Sequence, residues 1–157
     1  MLLVDFDGVL NPFAATQCPP GFTEYGLDEF PGDDPVRLNP AHARWLRDLA
    51  SLYEIAWASA CAQDLNLYCE RLIQLAPMQR VPMPLPPFDP DRKVEAVAAF
   101  VGDRPVAWLD DAFGEIARSW ARERSAPTLL VDVDPTTGLT IDVIDRLAAW
   151  PVSITAP

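Results

Sequence analysis

The sequence predicts an α/β fold, a doubly wound parallel sheet with helices on both faces. Three observations predict it. Strand-length apolar runs alternate with segments that carry apolar residues at helical spacing along the 157 residues. The first run, residues 1–4, is continuously apolar, as in a parallel strand buried on both faces. Two helix starts carry the same signal, a capping residue followed by proline, at Asn39-Pro40 and Asp89-Pro90.

The elements follow in order. Residues 1–4 form the first strand, which ends at Asp5. Residues 11–38 are rich in Pro, Gly and Asp and read as a long loop or small flap. A helix begins at Asn39-Pro40 and carries Ala43, Leu46, Leu49 and Ala50 on one side. Residues 53–59 form a strand, and 64–75 a second helix. The stretch 77–90 is proline-rich and therefore extended, with room for a short strand around 80–83. A helix opens at Asp89-Pro90 and runs through Lys93, Val94, Val97 and Phe100. Residues 106–109 form a strand that ends at Asp110-Asp111. A helix over 113–124 sets Ile116, Ala117 and Trp120 toward a core. A strand over 128–133 and a helix over 140–150 complete the pattern. No internal repeat interrupts it, and the whole chain, 1–157, reads as one domain.

Composition removes several classes of function. No run of 18 apolar residues occurs, so nothing in the pattern spans a membrane. A charge at Asp5 comes too early for a secretory leader, so a cytoplasmic location is expected. Cys18, Cys61 and Cys69 are odd in number and include no CxxC pair, which indicates neither a disulfide framework nor a zinc site. A net charge of −11 opposes an extended nucleic-acid surface, yet leaves room for a local pocket that takes one phosphate.

In doubly wound sheets the ligand sits beyond the carboxyl ends of the strands, so polar residues there are the candidates. Asp5 and Asp7 are two apart and in an extended chain point the same way. Gly8 follows, where a Cβ would block a close approach. Two neighbouring carboxylates call for a cation, and hard oxygen ligands favour Mg²⁺. Alone, the pair also fits a solvated turn. Asp110-Asp111 ends another strand; Asp111 could cap the next helix, or Asp110 could share the same metal. Ser59 ends a strand and could donate to a phosphate oxygen. Lys93, near a helix N-terminus, is placed against the helix dipole, which favours a role toward an anion. His42 reads as an exposed helix residue, and Trp57 and Trp108 as core.

The run Leu2-Leu3-Val4-Asp5-Phe6-Asp7-Gly8-Val9-Leu10 resembles the first motif of the haloacid dehalogenase (HAD) superfamily. Ser59, Lys93 and Asp110-Asp111 follow in the order of that family's second, third and fourth motifs. The resemblance covers residues 1 to about 133 and implies a Rossmann-like fold. It also implies a Mg²⁺-dependent phosphatase or phosphotransferase working through an aspartyl-phosphate. Asp5 would be the nucleophile and Asp7 the general acid and base. Ser59 and Lys93 would hold the phosphoryl oxygens. The metal would take the Asp5 carboxylate, the Asp7 backbone carbonyl and Asp110, with Asp111 acting through water.

The spacing leaves no room for a large cap, and 11–38 allows only a flap, so the expected site is open and suits bulky or macromolecular phosphates. The runs Asp5-Phe6-Asp7-Gly8-Val9-Leu10-Asn11 and Trp108-Leu109-Asp110-Asp111 also resemble a small bacterial group of stand-alone HAD domains associated with RNA repair. The expected partner is therefore a phosphorylated small molecule, nucleotide or nucleic-acid end. A phospho-ligand-binding or regulatory module without turnover is the alternative. A response-regulator receiver fits less well, because its adjacent acids come at the first strand. Residues 134–157 carry no functional signal.

Overall fold

The computed structural model describes residues 1–30, 34–84 and 90–155, with backbone alone at Pro90 and 152–155. Strand β1, Leu2–Val4, lies at the middle of a five-stranded parallel sheet. Its neighbours are β4, Ile55–Trp57, and β6, Val106–Asp110. Outside these lie β5, Gln79–Arg80, and β7, Thr128–Asp132, giving the order β5-β4-β1-β6-β7. The chain winds outward from β1 on one side, returns, and winds outward on the other. The reversal falls between β1 and β6, where a doubly wound sheet opens a crevice at its carboxyl edge.

Side-chain alternation along β1 accounts for the two layers. Leu2 and Val4 join one core with Leu46 and Leu49 of α1, Ala41–Leu49, and Cys69 and Ile73 of α2, Leu65–Ile73. Ile144 and Leu147 of α5, Ile141–Thr155, complete that layer. Leu3 points the other way, into Val94, Val97 and Val101 of α3, Pro90–Val101, and Ala117 of α4, Glu115–Glu123. Trp57 and Trp108 are both buried, one in each layer, as their strand positions predict.

Local chemistry places the helix starts. The Asn39 Oδ1 accepts from the Ala41 N–H at 2.9 Å, and Asp64 caps α2 by accepting from Leu67 N–H at 3.2 Å. Asp89, the expected cap of α3, lies outside the described residues, as do residues 31–33 of the expected loop.

Four expectations need correction. The segment 11–38 is not wholly irregular: β2, Thr23–Tyr25, pairs antiparallel with β3, Val36–Leu38. This hairpin is tied to the core, where Phe30 stacks on Phe6 at 5.3 Å between ring centres. The strand expected at 80–83 is β5 at 79–80, because Pro82 and Pro84 offer no N–H to a ladder. Ile116, expected to face the core, is 53% exposed; α4 buries only Ala117 fully. His42 is fully buried rather than exposed. Its Nε2 meets the Leu139 carbonyl at 3.2 Å, and its ring packs between Phe22 and Trp45. Among the described residues, no helix is long and apolar enough to cross a membrane.

Candidate active site

The carboxyl edge of β1 and β6 brings the predicted residues together. Asp5 follows β1 directly, and its N–H donates to the Leu109 carbonyl of β6. Asp110 is the last residue of β6. The two side chains therefore emerge beside each other across the crevice. Ala58 N–H donates to the Val4 carbonyl, which sets Ser59 on the opposite flank of Asp5. α3 enters from the second layer and delivers Lys93, which sits in its first turn.

Lys93 links the acids. Its Nζ donates to Asp5 Oδ2 and, at 2.6 Å, to Asp110 Oδ2. All three side chains are at most 9% exposed, so this is a buried triad rather than a surface ion pair. Backbone N–H groups take the remaining oxygens. Phe6 N–H donates to Asp5 Oδ1 at 2.7 Å, and Ala112 N–H to Asp110 Oδ1 at 3.1 Å. Every carboxylate oxygen of the pair thus has a fixed donor, and neither side chain is free to rotate.

Burial pushes the Asp5 carboxyl well up, to about 7; Lys93 pulls it down and Asp110 adds to the rise. Burial would lower Lys93, but the Asp5 and Asp110 charges outweigh it and hold the ammonium above its ordinary range. Asp111 is half-buried and raised, first by burial and then by Asp110.

Oxygens of Asp5, Asp110 and Asp111 lie within 4.8 Å of one another. An all-carboxylate set at that spacing fits a small hard cation, and the Lys93 ammonium already places positive charge between two of its members. Gly8 makes the trio possible. Its φ is +77°, and a Cβ there would lie 2.5 Å from Asp111 Oδ2 and 2.6 Å from Asp111 Cβ. Only glycine satisfies both the backbone and the space.

Asp7 stands apart from the trio. It is exposed, unlike Asp5 and Asp110, and its Oδ1 accepts from Asn11 Nδ2 at 2.9 Å. The surrounding protein raises its carboxyl, although Asn11 and Lys93 work against that rise. The Asp7 carboxylate is thus positioned beside the cluster rather than within it. Ser59 is buried, and its Oγ accepts from Cys61 N–H at 3.2 Å, which leaves its hydroxyl hydrogen able to donate elsewhere.

Two positioning residues are assigned no role from the sequence. Asn11 is buried, holds Asp7 through its amide nitrogen and receives Arg37 N–H on its oxygen at 3.0 Å. It thereby couples the loop after β1 to the hairpin. Arg80 donates to the carbonyls of Cys61 and, at 3.2 Å, Gln63, fastening the turn that follows Ser59. In sequence Asn11 only closes the run from Asp5 that carries the resemblance, and Arg80 only begins the strand expected around 80–83.

Comparison with protein-family models, with curated proteins and with solved structures gives no match to this chain.

Proposed function

We propose that the protein is a Mg²⁺-dependent phosphoric monoester hydrolase of the HAD type, with Asp5 as nucleophile. The observation that carries this reading is the convergence of Asp5 and Asp110 on Lys93 at the switch point of the sheet, with Asp111 close by. An ion pair kept for stability alone needs no third carboxylate and no crevice, and buried charge is a weak source of stability.

Asp5, Asp110 and Asp111 would hold the metal, and the Mg²⁺ would offset the negative charge of these carboxylates and of the phosphoryl oxygens. Asp5 attacks phosphorus through a carboxylate oxygen as the bond from phosphorus to the leaving alcohol breaks. Asp7, which is exposed, gives its proton to the departing oxygen. Water then attacks the phosphorus of the aspartyl-phosphate, Asp7 takes a proton from it, and inorganic phosphate leaves with Asp5 restored. Ser59 donates to one phosphoryl oxygen, and Lys93 balances charge on another. Asn11 keeps the Asp7 carboxyl turned toward the crevice throughout.

The test is phosphate release from a panel of esters, with and without Mg²⁺. The panel runs from sugar phosphates and nucleotides to oligonucleotides with 3′- or 5′-phosphate ends. The expected result is Mg²⁺-dependent release that disappears in Asp5→Asn. A folded protein that binds Mg²⁺ and releases nothing would replace this reading with a phospho-ligand-binding module.

A further inference from the structure

Beside Asp7 lies a cleft of about 690 Å³, between the hairpin and the turn at 61–63. That volume far exceeds the needs of a phosphate and falls in the range of small-molecule sites. Asp7 is among its lining residues, so an alcohol protonated by Asp7 would depart into it.

Its walls define what it can hold. Phe30 and Val36 lie behind the wall, almost covered at 2% and 5% exposed, while Phe13 presents an open face with 54% of its surface exposed. An exposed phenylalanine at the mouth of a cleft offers a flat face for a ring to stack on. Gln63 adds an amide, whose Oε1 accepts from Cys61 Sγ at 3.5 Å.

The charges point the same way. Among the described lining residues Arg37 is the sole cation, and it is committed. Its Nε donates to Glu24 at 2.8 Å and one terminal nitrogen donates to the Ala15 carbonyl at 2.7 Å. Asp7 and Asp34 face the same space. A second phosphate or a nucleic-acid backbone would therefore meet the Asp34 charge with no free cation among the described lining residues.

We infer that this cleft holds the alcohol half of the substrate, and that this half is an uncharged, ring-bearing group such as the nucleoside of a mononucleotide. The inference rests on the phosphatase reading for its chemistry, but not for its binding. Nucleic-acid ends and bisphosphates are disfavoured by the same walls.

The experiment uses the full chain with Mg²⁺ and three esters: adenosine 5′-monophosphate, glycerol 1-phosphate and adenosine 3′,5′-bisphosphate. The mononucleotide is expected to exceed the other two in kcat/KM by at least about tenfold. Phe13→Ala should lower the ratio of mononucleotide to glycerol phosphate about tenfold, through KM. Asp34→Lys should raise the relative rate on the bisphosphate. Equal rates on the mononucleotide and glycerol phosphate, or a ratio that Phe13→Ala leaves alone, would overturn the assignment. Calorimetric binding of adenosine 5′-monophosphate to Asp5→Asn separates the two readings. Binding that Phe13→Ala weakens, beside a wild-type chain that releases phosphate from no ester, upholds the cleft and sinks the hydrolase. Absence of binding, beside a wild-type chain that hydrolyses glycerol phosphate with Mg²⁺, does the reverse.

Discussion

Replacing Lys93 by methionine keeps most of the side-chain volume and removes the charge that joins Asp5 to Asp110. The three side chains are 3%, 9% and 2% exposed, so solvent cannot stand in for the ammonium. Removing one partner of a buried ion pair costs about 3–5 kcal/mol, because the other charge stays buried and unpaired. Here two carboxylates are left facing each other. For a chain of this size about 1 kcal/mol corresponds to roughly 2–4 °C, so Tm should fall by roughly 6–20 °C without Mg²⁺. The cause is separable from a packing defect by pH. Asp5 is already raised by burial, and Lys93 is what draws it down. Without Lys93 its folded-state pKa climbs further above the unfolded value, so the ionised form is the destabilising one. Stability lost near neutral pH should therefore return as pH falls toward the ordinary carboxylate range. Urea unfolding of both proteins at pH 7.5 and pH 5.5, in chelator and then in Mg²⁺, measures this. The gap should narrow at the lower pH and narrow again with the cation. A gap below about 0.5 kcal/mol, or one indifferent to both pH and Mg²⁺, would refute the claim that Lys93 holds two buried charges together.

Two further predictions follow from single contacts. Gly8→Ala places a Cβ against the Asp111 carboxylate at a φ of +77°; it should destabilise the fold by about 1–2 kcal/mol and weaken Mg²⁺ binding about tenfold by calorimetry. Unaltered Mg²⁺ affinity would remove Asp111 from the metal site. Burial depresses His42 from 6.5 to about 4, so the unfolded chain takes up its proton first. This contribution is complete above pH 6.5 and is lost as pH falls toward 4, by about 3 kcal/mol at about 1.36 kcal/mol per unit. His42→Gln should flatten that part of the stability profile; superimposable profiles would show that the ring is not held neutral.

How far the sequence revealed the site depends on the range of each interaction. Asp5, Ser59 and Asp110 were legible because each ends a short apolar strand, and the fold class says which end of a strand matters. Lys93 was legible from its awkward place in the first turn of a helix, a local electrostatic conflict that a partner must resolve. Asn11 closes a resembling run, but its positioning role was hidden, because that role arises from Arg37, 26 residues on in a hairpin that the proline and glycine content concealed. His42 was misread because the carbonyl that meets its Nε2, that of Leu139, is 97 residues away; nothing near it in sequence marks it as buried. Ile116 failed in the opposite sense. The helical period was right, but α4 buries only Ala117 fully, too narrow a contact to cover its whole apolar stripe. The cleft at Asp7 draws its walls from residues 6 to 63 and had no linear signature at all.

The charge pattern also constrains the order of events in the proposed reaction. Four carboxylates, Asp5, Asp7, Asp110 and Asp111, share the crevice with one ammonium, and a phosphate ester brings further negative charge. Unit charges 4 Å apart interact by about 4 kcal/mol at an effective dielectric constant of about 20, so several such repulsions exceed what Ser59 and Lys93 can return. In that reaction the ester would gain a foothold only in a crevice already neutralised by a divalent cation. By linkage, the ester would then tighten the hold of Asp5, Asp110 and Asp111 on that cation by the same factor. The rigid donors on Asp5 and Asp110 fit this requirement, because carboxylates fixed in place for a cation need no rearrangement when the anion arrives. Asp7 lies outside the trio and, among the described residues, is hydrogen-bonded by Asn11 only, which would suit a group that gains and loses a proton in each turnover of the proposed reaction.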